Sequence, residues 1–168
     1  FNATQLSRLG SAQIRGLESE DISVLDPTRI GSLSTAALNG LLTEQVAVIS
    51  GAQAVALGTQ QIAALSTATL NSLSTEAFDA LSSNQIAVLS AAQMAKLSTE
   101  NVSLLGASDV HALSSSQLNA LGTQQVVALS TEAIAEFSAD QLNALNTRQI
   151  KALTALQMGA LETADLQQ

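Results

Sequence analysis

Cysteine is absent from this 168-residue chain, so neither a disulfide framework nor a thiolate metal site is open to it. Tryptophan and tyrosine are absent too, and aromatics amount to 2%. A core must therefore be built from small and mid-sized aliphatic side chains. Six Lys and Arg against 14 Asp and Glu leave a net charge of −8. Nucleic acid demands clustered cations to neutralise its phosphates, so this composition excludes it as a partner. No run of about 18 apolar residues occurs, so no membrane insertion is expected. The 168 residues show no signal-peptide or lipidation motif. Apolar residues nevertheless make up 46% of the chain, too many for disorder. The length suffices for a sizeable core.

What is present is one short pattern, copied. The chain reads Leu81-Ser82-Ser83-Asn84-Gln85-Ile86-Ala87-Val88, then Leu89-Ser90-Ala91-Ala92-Gln93-Met94-Ala95-Lys96, and later Leu121-Gly122-Thr123-Gln124-Gln125-Val126-Val127-Ala128. The consensus is Leu-Ser-Thr-x-Gln-Ile-x-Ala. Stepping by eight from Phe1 meets a large apolar residue every time, as far as Leu161. Stepping from Leu6 through Ile14, Ile22 and Ile30 to Leu166 meets one small residue, Ala54. All three Phe and both Met fall in these two columns, which marks them as core anchors and not as a cofactor box. Residues 1–168 thus form 21 octads with no insertion, expected to be a single array and an excerpt of a longer one.

The octad reads as a helix start. Its second position is Ser, Asn, Asp or Thr in 14 of 21 octads and Gly in four, and its fifth is Gln in 12. Ser followed three residues later by Gln is a capping box, in which each side chain satisfies a backbone N–H left free at a helix N-terminus. The one proline, Pro27 after Asp26, stands at the third position, the first residue of the expected helix, where proline is tolerated. A continuous helix would rotate the two columns around its axis, because steps of five and three do not hold one face at about 3.6 residues per turn. A β-solenoid would want alternating β-branched residues, and the Gln- and Ala-rich octads lack them. Two buried side chains cannot offset the ordering of eight residues, so octads must stack. The expected fold is an all-α solenoid, or superhelix, of very short helices, one per octad.

A longer rhythm overlies the octads. Those beginning at Leu33, Leu65, Leu97 and Leu129 lack the fifth-position Gln and the eighth-position Ala. One octad earlier, position seven is small and apolar: Gly31, Ala63, Ala95, Val127 and Gly159. This 32-residue superrepeat leads to an expectation of about four octads per superhelical turn, right-handed by analogy with other α-solenoids. Leu97 should then sit over Leu65 and under Leu129.

The segments Leu41-Leu42-Thr43-Glu44-Gln45-Val46-Ala47-Val48 and Gln60-Gln61-Ile62-Ala63-Ala64-Leu65 resemble octapeptide-repeat tracts of very large bacterial secreted or surface adhesin-like proteins. The likeness covers the whole chain. It implies a spacer or surface-exposed structural array. The same octads are similar, over eight residues, to the first helix of the DNA-reading repeats of plant-pathogen effectors. The longer second helix, the base-reading pair and the basic stripe of those repeats are absent.

Chemistry-bearing residues are few. His111 lies two residues from Asp109 but has no second His or Cys and no carboxylate cluster, so it reads as a surface residue. Glu18, Glu20, Asp21 and Asp26 are the densest acids, without the loop spacing of a Ca²⁺ site. They read as solvated groups opposing helix dipoles. Gly58, Gly106 and Gly122 replace the capping Ser and are too isolated for a phosphate loop. The third-position Thr column, such as Thr35, Thr43 and Thr59, could order water or meet a polymer, or be a small residue tolerated at a helix start. The Gln column is either capping alone or a ladder between turns. No catalytic, cofactor-binding or metal residue is assigned, no cofactor is expected, and an enzyme ranks last. The expected function is a structural spacer of a bacterial surface or secreted protein that stacks end to end on itself. The alternative is a binding module that displays positions four and seven to another protein or a glycan. A Cys-free, Lys-poor, acidic repeat fits an extracellular or cell-surface setting.

Overall fold

The sequence folds into two compact units of short helices, Phe1–Val88 and Leu89–Gln168. The computed structural model describes residues 2–165, with side-chain surroundings as far as Leu161. Phe1 and Leu166, ends of the two apolar columns, lie outside the described residues. Unit one carries α1 (Ala3–Leu6), α2 (Ser11–Ile14), α3 (Ser19–Ser23), α4 (Pro27–Ile30), α5 (Thr35–Leu38), α6 (Thr43–Ala47), α7 (Gly51–Val55), α8 (Thr59–Ala64), α9 (Thr67–Ser72), α10 (Thr75–Asp79) and α11 (Ser83–Ala87). Unit two carries α12 (Ala91–Met94), α13 (Thr99–Ser103), α14 (Ala107–Ala112), α15 (Ser115–Ala120), α16 (Thr123–Ala128), α17 (Thr131–Ala135), α18 (Ala139–Ala144), α19 (Thr147–Ala152) and α20 (Ala155–Asp165). The described residues contain no strand.

Each octad begins its helix for the reason its side chains dictate. Ser82 accepts from the Gln85 N–H while the Gln85 carbonyl oxygen accepts from the Ser82 N–H, and the same reciprocal pair recurs at Ser50–Gln53, Ser90–Gln93, Ser114–Gln117 and Ser138–Gln141. Pro27 is the first residue of α4, capped by Asp26. The helix then ends without a left-handed residue, for no described residue has positive φ. The first- and second-position residues are instead both extended, as at Leu65 (φ −64°, ψ 140°) and Ser66 (φ −67°, ψ 153°). The first-position N–H still donates to the sixth-position carbonyl, as from Leu65 to Ile62 at 3.1 Å. So the leucine folds inward at the bend while the next residue caps the next helix. Only α20 departs from one helix per octad, running through Leu161. Glu162 and Asp165 stand there in place of the usual Ser and Gln.

Helices of four to six residues are too short to persist alone in water, so stacking must hold them. In unit one α1 packs on α4, α2 on α5, α3 on α6, α4 on α7, α5 on α8, α6 on α9, α7 on α10 and α8 on α11. In unit two α12 packs on α15, α13 on α16, α14 on α17, α15 on α18, α16 on α19 and α17 on α20. The stacking step is therefore three helices, which corrects the expected four octads per turn. The octads of the 32-residue rhythm do not lie over one another: α5 meets α2 and α8, and α13 meets α16. Leu97 likewise finds its neighbour not in the octad of Leu129 but in that of Gln125, whose side chain bonds its carbonyl. The rhythm is one of composition, and the winding has its own period.

Both columns form the core. Ile14, Ile22, Ile30 and Ile62 in unit one, and Met94, Val110, Leu118 and Ile134 in unit two, are fully buried. First-position residues are buried from Leu33 to Leu145.

Candidate functional site

The chemistry of this chain lies between its turns. A helix of one turn leaves its last carbonyls without partners, and the extended first-position residue adds another. The fifth-position Gln supplies them. Gln45 Nε2 donates to the carbonyls of Ile14 at 2.9 Å and Leu17 at 2.6 Å, residues 31 and 28 positions earlier. In unit one Gln53 does the same to Ile22 and Leu25, and Gln85 to Ala54 and Leu57. In unit two Gln125 reaches Met94 and Leu97, Gln141 reaches Val110 and Leu113, and Gln149 reaches Leu118 and Leu121. One amide thus caps its own helix through Oε1 and ties the previous turn through Nε2. Both readings of the Gln column hold at once. No described buried side-chain N or O lacks a partner.

Octads without Gln use other groups. Ser34 Oγ donates to the Leu9 carbonyl at 3.3 Å, the group a Gln in place of Ala37 would meet. Asn39 Nδ2 donates to the Ala64 carbonyl at 2.8 Å, and its Oδ1 accepts the Ser66 N–H at 2.7 Å. Arg15 Nε donates to the Gly40 carbonyl at 2.9 Å. These inter-turn bonds from Ser, Asn and Arg were not anticipated from the sequence. Their acceptors are backbone groups or a backbone donor, which leave no mark in it.

Turns also meet backbone to backbone. A Cβ on Gly40 would lie 2.5 Å from Cα of Ser11, and one on Gly31 would lie 2.7 Å from the carbonyl oxygen of Ala56. Gly31 belonged to the small seventh positions of the long rhythm; Gly159, of the same series, has nothing within 4 Å.

The remaining candidates are scattered. His111 is exposed on α14, and the Asp109 carboxylate beside it accepts the Gly106 N–H at 3.0 Å as a cap. Asp21 accepts the Glu18 N–H, and Asp26 accepts both the N–H and the hydroxyl of Thr28. The Thr28 bonds, with a smaller contribution from Arg29, hold the Asp26 carboxyl below the ordinary aspartate range. Glu132 is lowered likewise, by its own backbone N–H and the hydroxyls of Thr131 and Ser130. Among the described residues no three His, Asp or Glu converge as a metal site. Gly58 and Gly122 are caps whose N–H groups donate to Gln61 and Gln125. Thr35, Thr43 and Thr59 are exposed first residues of their helices. Position four is exposed in every octad from Thr4 to Leu156. In unit two it contributes Ser116 and Arg148 to two open grooves, one also lined by Asn119 and Ala144, the other by Thr123 and Asn146. No described helix is long and apolar enough to cross a membrane.

Comparison with known families agrees with this periodic geometry. The model of the ALTTAQ repeat matches residues 54–91, 70–99, 94–131, 102–139 and 125–155, tiling well over half of the chain. No curated protein and no solved structure matches it.

Proposed function

Since the chain belongs to the ALTTAQ repeat family, we propose that it is a structural array, a spacer within a secreted or surface protein of a bacterium, and that it carries no catalysis. One observation supports this above the others: the buried amides are spent on joining turn to turn, each Gln bridging its own helix start and the carbonyls 28 and 31 residues back. Side chains used this way set length and stiffness. The acids most often stand at exposed position four, as Glu44, Glu76, Glu100 and Glu132 do, near helix N-termini and in solvent. Such a surface keeps an apolar solenoid soluble. The likeness of the octads to tracts of adhesin-like proteins supports the extracellular setting. The decisive experiment replaces the array, within the protein that carries it, by an unrelated rigid rod of equal length. A spacer's function survives the exchange, and loss of function sinks this reading.

A second reading is a binding module for a protein or glycan. The two grooves of unit two favour it, because exposed Ser116, Arg148 and Asn119 line them. The rod exchange would abolish its function.

A further inference from the structure

The two columns are uncovered at opposite ends of the chain. At the beginning, Leu6, Ile14 and Ile22 of column six are fully buried, while Leu9, Leu17 and Leu25 of column one are only half-buried. In the last octads the order reverses: Leu145 and Leu161 of column one are buried, while Ile150 and Met158 of column six are 41% and 39% exposed. Column one therefore packs toward the preceding turn and column six toward the following one. The amides obey the same polarity. Gln5 and Gln13 are exposed, and each Oε1 caps its own helix, but no bond to an earlier turn engages either Nε2 among the described residues. At the other end no described donor reaches the carbonyls of Leu145 and Leu153, although the equivalent carbonyls of Leu121 and Leu129 accept from Gln149 and Gln157.

We propose that these faces receive each other, the first turn of one copy of this chain docking on the last turn of a second copy, head to tail. The proposal rests on the structural-array reading and names the partner of that array. The contact is the inter-turn interface already present inside each unit, continued between copies. With the octad register carried on from one copy to the next, Gln5 donates to the carbonyls of Leu142 and Leu145 and Gln13 to those of Ile150 and Leu153. Leu9 and Leu17 then cover Ile150 and Met158. Because the two faces are unlike, the contact is heterologous and does not close on a dimer; it propagates.

Two variants of the 168-residue chain test this by sedimentation velocity over a wide concentration range. Gln5→Glu with Gln13→Glu keeps an oxygen for each helix cap but removes the donors. Ile150→Glu with Met158→Glu charges the other face at exposed positions. The parent is expected to grow with concentration beyond a dimer, and each variant alone to lose every species above monomer while keeping the parent's helical circular dichroism. Mixing the two variants leaves one intact face of each kind, so a discrete dimer and nothing larger is expected. A parent that stays monomeric, a variant that assembles as the parent does, or a mixture without dimer overturns the proposal. The rod exchange is independent of all three, so head-to-tail docking can fail while the array reading stands.

Discussion

Asn39 stands in for a glutamine that is not there. Its Oδ1 accepts the backbone N–H of Ser66 at 2.7 Å, the bond that a fifth-position Gln makes in most other octads and that Thr69 cannot make. Its Nδ2 donates to the Ala64 carbonyl, so it also joins the two turns. The Gln-less octads are thus tied by a different residue from a different turn, and the solenoid keeps its bonding where its consensus lapses.

This relationship predicts a rescue. Asn39→Ala removes two partly exposed bonds and is expected to cost about 1–2 kcal/mol in urea unfolding, at about 0.5–1.5 kcal/mol per bond. Adding Thr69→Gln supplies a cap for Ser66 and donors toward the carbonyls of Leu38 and Leu41, and should recover most of the loss. Additive destabilisation by the second change would show that the position-five amide is not interchangeable with Asn39.

The sharpest test of the ladder is Gln85→Glu. Gln85 is buried, and its Nε2 serves the carbonyls of Ala54 and Leu57 at 3.0 and 2.8 Å. A carboxylate keeps the acceptor for Ser82 but donates to neither carbonyl. The expected loss is about 1–3 kcal/mol for each acceptor left bare. Burial raises the folded-state pKa of the new carboxyl above its ordinary value of about 4.3, since the protonated form is neutral and can donate to one carbonyl. The variant is therefore most stable below that value and loses stability as pH rises through the folded pKa. Urea midpoints of variant and parent that keep a constant gap across pH would contradict this.

Much of the architecture was legible because it is local. Capping boxes at Ser82–Gln85 and Ser114–Gln117, Pro27 at the start of α4, and the two apolar columns each concern residues within one octad. The number of helices per turn was not legible. It depends on the angle at each Leu-Ser bend, which no side chain encodes alone, and the 32-residue rhythm pointed to four where stacking uses three. The Gln ladder was visible as a column, but its acceptors are main-chain carbonyls 28 and 31 residues away, which carry no identity in the sequence.

Gly40 and Gly51 should resist even a methyl group. A Cβ on Gly40 would lie 2.5 Å from Cα of Ser11, and one on Gly51 would lie 2.9 Å from Cβ of Ala80. Overpacking of this kind costs about 1–3 kcal/mol, with Gly40→Ala expected at the upper end because backbone, not a flexible side chain, blocks it. Gly159→Ala, with no atom within 4 Å, is the control and should not destabilise. Thermal melts of the three variants decide the order.

Acid should weaken the cap of α4 in a defined direction. The Thr28 hydroxyl and N–H hold the Asp26 carboxyl below its ordinary pKa. A depressed folded pKa means that this contribution is present above the ordinary aspartate value of about 3.9 and is lost as pH falls through the folded value. Asp26→Asn retains an acceptor for the Thr28 N–H without the charge. The melting temperature of the parent should therefore fall further than that of Asp26→Asn below pH about 3.9. Parallel falls would show that the charge of Asp26 contributes nothing at this helix start.

The polarity of the two columns can be checked with one residue type in one column of one unit. Ile134 is fully buried, whereas Ile150, two octads later, is 41% exposed because no described turn follows to cover it. Ile134→Ala opens a cavity and is expected to cost about 2–5 kcal/mol, the range for truncating a buried isoleucine. Ile150→Ala removes a side chain that already meets solvent, and should cost under about 1 kcal/mol, near the surface range. If both changes cost the same in chemical denaturation, column six does not face the following turn, and the unlike end faces that the head-to-tail contact requires do not exist.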